Sequence, residues 1–267
     1  MSHFIALKQR IKIIETIKKT TGAMRLISMS THSRLNHQRI ILDEYTQEID
    51  RILHDLREKA VQTQSIRMPC EVRTELEPVI ILVGSQKGLC GTFNENVFHL
   101  LTKQKLPATC PLITAGKRAS DALKQAGLIP ITTFDELKSA NFATTASALT
   151  TFLLKLNRTN VVIFSNYSRS FFAQKAKMTN LELPQLDTIT SPFLQTVEVL
   201  HIKTALMHIL YESLLAEQAA RFLSMDTATR NAEEVLEQTR LEYNKARQTH
   251  ITMELTELSS SSMAQDD

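Results

Sequence analysis

Leu7-Lys-Gln-Arg-Ile-Lys-Ile-Ile-Glu-Thr-Ile-Lys-Lys-Thr-Thr-Gly-Ala-Met24 opens a stretch that contains no proline up to residue 60. Leu7, Ile11, Ile14, Thr21, Met24, Ser28, Thr31, Leu35, Leu42, Tyr45, Ile49, Ile52 and Leu56 fall on alternating steps of three and four, with some positions skipped. That spacing predicts one helix over residues 4–60 with a coiled-coil stripe. The stripe turns polar at Thr21, Ser28 and Thr31. Gly22 is its weak point, worth roughly 1 kcal/mol against alanine. A second long helix is expected from about 197 to 258, a span without proline or glycine. Its alanines, among them Ala216, Ala219, Ala220, Ala232 and Ala246, permit close packing, and Ile251, Leu255 and Leu258 resume the three-and-four spacing. At about 1.5 Å per residue each helix reaches on the order of 80 Å. Neither can bury its stripe on a small central domain alone. The two must pair, and a domain joining them at one end makes the pair antiparallel.

Charge agrees with pairing. Residues 1–40 hold eight Lys/Arg and one acid, Glu15, whereas residues 206–267 hold five Lys/Arg and eleven Asp/Glu. A basic first helix beside an acidic last helix is complementary, although exposed pairs are individually weak and two solvated faces are the bland alternative. The rest of the composition is that of an ordinary globular chain. No run of eighteen apolar residues suits a bilayer, and no signal peptide is expected. Cys70, Cys90 and Cys110 are odd in number and far apart, which argues against a disulfide framework or a zinc site.

Between the helices, residues 61–78 read as a linker containing Pro69 and Cys70. Residues 79–195 read as a small, Rossmann-like α/β domain with a mostly parallel sheet, so the fold class is α/β with a long antiparallel coiled coil. Val79–Val83 and Val161–Phe164 are apolar runs suited to buried strands. Leu112–Thr114 and Ile129–Thr132 are shorter strand candidates, with helices expected at 94–104, 117–126 and 141–157. Residues 165–195 suggest a hairpin or edge strand, with Pro184 and Pro192 marking turns. Residues 196–267 form the last helix and a frayed serine-rich tail.

Catalytic chemistry finds little footing. Gly84-Ser-Gln-Lys-Gly88-Leu-Cys-Gly91 follows a strand and precedes a helix, where anions often bind, yet it is neither a P-loop nor a dinucleotide turn. The preferred reading is a structural turn at Gly88, Cys90 and Gly91. Cys90 as a nucleophile would need a base, and His99 has nothing fixing its approach. His32 and His37 lack metal-ligand spacing. Asp50, Asp55 and His250 read as helix-surface or packing residues. No catalytic residue, cofactor or metal site is expected.

Three segments resemble the gamma subunit of an F-type ATP synthase: Leu7 to Met24; Gly84 to Asn94, with Gly88-Leu-Cys-Gly91 and Phe93-Asn94; and Glu217-Gln-Ala-Ala-Arg-Phe-Leu-Ser-Met-Asp-Thr-Ala-Thr-Arg-Asn-Ala232, continuing into Tyr243-Asn-Lys-Ala-Arg-Gln248 and Ile251-Thr-Met-Glu-Leu255. The resemblance implies a non-catalytic rotor shaft standing inside a ring of three alpha and three beta subunits. It implies seating on a membrane c-ring, an epsilon-subunit partner, and a peripheral position on the cytoplasmic face of a bacterial inner membrane. Nucleotides would bind to the alpha and beta subunits, and ion flow would be coupled to ATP synthesis or hydrolysis. Neither nucleic acid nor autonomous homo-oligomers are implied. By the same resemblance, Lys19, Met24 and Arg25 form the neck that meets a beta-subunit loop. Arg240, Tyr243, Lys245, Arg247, Gln248 and Thr249 form the ring-contacting segment of the opposite helix. The alternatives are a non-catalytic coiled-coil scaffold or nucleic-acid binder using the basic first helix, and a nucleotide enzyme built on the central domain.

The chain departs from the family pattern at the neck and tip. Glycine stands at 22 and aspartate at 226, where the family usually has lysine. Ile27 to Ser33 lacks two basic residues, and the end carries four serines and two aspartates. Proton or sodium coupling therefore stays open, as does synthesis or hydrolysis as the main direction.

Overall fold

The computed structural model describes residues 2–62, 77–104, 107, 109–156 and 158–263. Residues 63–76 of the proposed linker, with Cys70, and the last residues of the tail lie outside them, while residues 61 and 62 of that linker end the first helix. The chain forms two compact units: residues 1–27 with 224–267, and residues 28–223. Helix α1 (Ser2–Gln62) and helix α5 (Pro192–Met263) each contribute to both.

In the second unit a five-stranded sheet has the order β3-β2-β1-β4-β5. Strands β1 (Val79–Val83), β2 (Leu112–Ala115), β3 (Thr132–Phe134) and β4 (Asn160–Ser170) are parallel, and β5 (Ala173–Glu182) runs antiparallel to β4. Helices α2 (Phe93–Lys103), α3 (Lys117–Gln125) and α4 (Phe142–Lys155) supply the crossovers. Strand β1 is buried along its whole length because helices cover both faces. Ile80 and Leu82 pack with Val97, Leu101 and Leu123 of α2 and α3. Val79, Ile81 and Val83 point the other way, into a core with Leu149 and Leu153 of α4 and Ile202, Leu206, Leu210 and Leu214 of α5. That four-residue step is one face of α5. Its neighbouring face carries Tyr211 and Leu215, which pack with Leu35 and Leu42 of α1. In this unit α5 is apolar on two sides because it lies between the sheet and α1.

Within each unit α1 and α5 run antiparallel. In the first, Glu15 meets Arg240, Lys18 meets Glu233 and Arg25 meets Asp226. In the second, Asp43 meets His208, Asp50 meets His201 and Arg57 meets Glu198. As the number rises on one helix it falls on the other.

The seam of α1 differs from the hydrophobic stripe in an instructive way. One row is Leu7, Ile14, Thr21, Ser28, Leu35, Leu42, Ile49 and Leu56, a strict seven-residue step that is buried or partly buried throughout. The second row is Phe4, Ile11, Lys18, Arg25, His32, Arg39, Thr46, Leu53 and Ala60, also at least partly buried throughout. Tyr45 and Ile52, expected in the stripe, are instead 45% and 39% exposed. Basic side chains stand in the second row: Lys18 and Arg25 reach acids of α5, Arg39 pairs with Asp43 on its own helix, and His32 packs edge-on against Phe171. An apolarity pattern reads past them. On α5 the first unit's seam is Met225, Thr229, Ala232, Leu236, Thr239, Tyr243, Ala246 and His250, in alternating steps of four and three. Ile251 and Leu255, expected to resume that spacing, are 46% and 62% exposed.

Three further boundaries differ from the expected ones. Helix α5 begins at Pro192, not near 197, because Ser191 caps it: Leu194 N–H donates to Ser191 Oγ at 3.4 Å. Proline then occupies the first helical position, where its missing N–H is harmless. Strand β3 starts at Thr132, the last residue of the expected Ile129–Thr132 segment, and Ile129 is 87% exposed. The hairpin expected after residue 165 is formed by a long β4 and by β5, with a register shift near Ser168.

Candidate functional site: the helix pair of the first unit and the loop after β1

The neck and ring-contacting candidates all fall in the first unit, and the structure sorts them into two groups. The braced group faces the partner helix. Arg25 Nη1 donates to Asp226 Oδ1 at 2.7 Å, and Arg230 Nη2 reaches the other oxygen of Asp226 at 2.5 Å. The hydrogen bond from Arg25 holds the Asp226 carboxyl below its ordinary value, and the charge of Arg230 adds to the effect. Arg240 Nη2 donates to Glu15 Oε1 at 2.6 Å. The ring of Tyr243 stacks on Phe4 with centroids 4.8 Å apart, and His250 lies on the same Phe4 at 6.0 Å. Met24 is partly buried.

The second group is Lys19, Lys245, Arg247, Gln248 and Thr249, all exposed. Thr249 Oγ1 donates back to the Lys245 carbonyl at 3.1 Å, an ordinary helix bond. These residues present two lysines, an arginine and an amide outward. Exposed apolar side chains accompany them: Ile13, Ile17, Leu26 and Ile27 on α1, and Met253 and Leu255 on α5, each at least 47% exposed. Sequence reasoning missed Asp226 as a partner of Arg25 because it recorded that position only as a lost lysine. Among the described residues it also missed the Lys18–Glu233 pair at 3.1 Å and the Thr21–Thr229 hydroxyl contact at 2.9 Å. The signal available for both was opposite charge, or matching hydroxyls, on antiparallel heptad positions.

The second unit contains the loop after β1. Leu89 has φ 64° and Gly91 φ 58°, so the chain turns through the left-handed region twice within three residues. For leucine that conformation is disfavoured, and the loop is held by a dense polar network. Ser85 N–H donates to Asn94 Oδ1 at 2.9 Å, and Asn94 Nδ2 donates to Ser85 Oγ at 2.9 Å. Ser85 Oγ donates to the Lys87 carbonyl at 2.8 Å. Cys90 lies buried against Phe93, Ala216 and Ala220. Burial pushes its thiol up, away from the reactive thiolate. The Gly88 backbone faces the Arg118 guanidinium, which a Cβ there would meet at 3.1 Å.

Helix α5 closes this loop with a buried ion pair. Arg221 Nη2 donates to Glu217 Oε1, and to the Lys87 carbonyl at 3.2 Å. The two side chains are 9% and 5% exposed. Desolvation pushes the Glu217 carboxyl up, opposed by Arg221 and by the Gln86 N–H. In open α/β sheets the crevice beyond the strand ends is where ligands bind. Here side chains of α5 pack against the loop after β1, Arg221 on the Lys87 carbonyl and Ala216 and Ala220 on Cys90. Among the described residues no His/Cys/Asp/Glu group has a metal-binding arrangement.

Known proteins share this arrangement of paired helices and sheet. The family model described as ATP synthase matches residues 4–264. The ATP synthase gamma chain of Chlorobium phaeobacteroides is 30% identical over 279 residues, spanning 94% of this chain and 95% of the relative. The chain belongs to the ATP synthase gamma chain family. The gamma chain of Nautilia profundicola is 28% identical, with the same shares covered. Among solved structures, a chain of the Euglena gracilis mitochondrial ATP synthase, in an assembly described as OSCP/F1/c-ring, is 18% identical with a TM-score of 0.59. That match covers 91% of this chain and 95% of the other. A chain from the central stalk and c-ring of the Tetrahymena thermophila mitochondrial ATP synthase also gives 0.59 at 18% identity, covering 78% and 99%. At these identities the structures show a shared fold. Family membership makes this a gamma-type subunit of an F-type ATP synthase, a class that is not itself the catalytic subunit.

Proposed function

We propose that this chain is the central-stalk shaft of an F-type ATP synthase or ATPase, transmitting torque between a membrane c-ring and a catalytic ring of alpha and beta subunits. The family match from residue 4 to residue 264 carries this reading. The mechanics support it. Helices α1 and α5 have 61 and 72 residues. At 1.5 Å per residue these are about 90 and 110 Å long. A paired helix resists bending and twisting better than a lone one, which is what coupling distant sites by rotation requires. In this reading residues 1–60 and 196–267 are the shaft, residues 61–78 a linker, and residues 79–195 the α/β body that seats on the c-ring beside an epsilon subunit.

Lys19, Lys245, Arg247, Gln248 and Thr249 then face the alpha/beta ring, while Arg25, Arg240 and Tyr243 stiffen the helices behind them and Met24 packs between. Gly88, Cys90 and Gly91 shape the loop after β1. The chain is peripheral to a bacterial inner membrane on its cytoplasmic side; among the described residues no helix is long and apolar enough to cross a membrane. The basic residues Lys18 and Arg25 are paired with acids of α5. That pairing disfavours use of the first helix as a nucleic-acid surface. The test is recovery of the tagged chain from native membranes. Alpha and beta subunits at three copies each per copy of this chain support the proposal, and recovery of the chain alone contradicts it.

A further inference from the structure

The first unit has a weak stretch in its seam. Below it Ile14 packs with Ala232 and Leu236, with Ile11 alongside. From residue 18 to residue 25 the seam positions of α1 are instead Lys18, Thr21 and Arg25. They offer little apolar area of their own, and the apolar contribution at this level is left to the partly buried Met24 and to Met225, 3% exposed. Three polar contacts join it: Lys18 with Glu233 at 3.1 Å, Thr21 Oγ1 with Thr229 Oγ1 at 2.9 Å, and Arg25 with Asp226 at 2.7 Å. The Lys18–Glu233 pair is solvent-exposed, at 41% and 52%. Asp226 is 18% exposed and takes a second guanidinium, Arg230, from one turn further along its own helix.

We infer that Asp226 is a positioning residue that fixes the register and twist of the helix pair at this level, a role that rests on the shaft reading above. The constraint is geometric. Aspartate has a short side chain, so its carboxylate reaches Arg25 only when the two backbones keep one alignment. A slip of a single residue moves it by about 1.5 Å along the axis and about 100° around it, enough to break a 2.7 Å contact. Arg230 binds the other oxygen and restricts the carboxylate further. A buried or half-buried polar contact within a coiled coil specifies register more than it adds stability. Asp226 also keeps Arg25 on the partner helix, leaving Lys19 as the outward cation of the neck.

The test uses the full chain, free and assembled with its alpha and beta subunits, and compares D226N, R230A, and the charge swap R25D/D226R made together with R230A, which spares the new arginine a like charge one turn away. Hydrogen exchange is read in peptides spanning residues 18–27 and 222–233. D226N is expected to speed exchange in both peptides by about two- to fivefold, the range of a partly exposed ion pair. The charge swap is expected to restore the protection of R230A, which itself changes exchange less than D226N. In the assembled enzyme the number of ions moved per ATP falls in D226N and recovers in the swap, a reversal that mere loss of packing would not give. Wild-type exchange in D226N, or a folded swap variant that stays as fast as D226N, overturns the inference. Failure of the wild-type chain to assemble would sink the shaft reading while leaving the exchange comparison to judge Asp226.

Discussion

Replacing Arg221 with methionine isolates the buried ion pair that closes the loop after β1. Methionine nearly matches the arginine stem in bulk, so little packing is lost. Glu217 is left 5% exposed without its guanidinium partner, and the Lys87 carbonyl loses a donor. Breaking one side of a buried pair typically costs about 3–5 kcal/mol, and the lost carbonyl hydrogen bond adds about 1 kcal/mol. The expected loss is therefore about 4–6 kcal/mol, a large share of a domain's total stability. Urea unfolding at pH 7 measures it as a fall in midpoint at unchanged slope. A second signature comes from linkage. Desolvation already pushes the Glu217 carboxyl up, and removing Arg221 pushes it further. A carboxyl whose folded value is raised favours folding below its unfolded value and loses that advantage as pH rises through the folded one. R221M should thus regain stability as pH falls from 7 towards 5. The double variant E217L/R221M, which leaves no buried charge, should recover most of the loss. R221M within about 1 kcal/mol of wild type at pH 7, with no gain on acidification, would refute the argument that a desolvated pair holds this loop.

Other expectations rest on the same packing. Leu35 is 1% exposed in the cluster with Tyr211 and Leu215, so Leu35→Ala should cost about 2–5 kcal/mol in the same unfolding assay. A Cβ added at Gly22 would have nothing within 4 Å of it, so Gly22→Ala should stabilise α1 by up to about 1 kcal/mol, visible as a rise in Tm. Gly116 has φ 95°, and a Cβ there would come within 2.1 Å of the Gly84 carbonyl oxygen, so Gly116→Ala should fail to fold stably in a soluble-expression and circular-dichroism comparison. Asp226, held below its ordinary value of 3.8 by Arg25 and Arg230, contributes stability above its unfolded value that is lost as pH falls through its folded one, so D226N should flatten the acid limb of the stability profile below about pH 4.

The sequence carried the architecture because long-range periodicity and buried strand runs are strong local signals. Val79–Val83 is apolar at every position, and only a strand covered on both faces has that need. The absence of proline and glycine from the last helix made its length legible. The seam itself was only half legible. Its first row is apolar enough to be seen, but the second is occupied by Lys18, Arg25, His32 and Arg39, whose roles depend on Glu233, Asp226, Phe171 and Asp43. Hydropathy cannot find a position such as Lys18 or Arg25, whose partner lies some two hundred residues away. His32 shows the point: burial and the nearby Arg39 keep it below its ordinary value, and it sits edge-on to Phe171 with centroids 4.8 Å apart. Ser191-Pro192 reads equally as a turn or as a helix start, because proline alone does not say on which side of it the helix lies. Glu217 and Arg221 stood inside the most recognisable motif of the chain, yet their contact with the Lys87 carbonyl required the fold.

Whether these paired helices turn as a shaft within a catalytic ring is measured most directly by single-molecule rotation. The assembled complex is fixed through its beta subunits, with a probe on a cysteine introduced at the exposed Ile129 of the α/β body. The expected result is unidirectional rotation of the probe that starts with ATP and stops when the chain is cross-linked to a beta subunit. A probe that stays still while the ring hydrolyses ATP at its full rate, cross-linked or not, would contradict the shaft role.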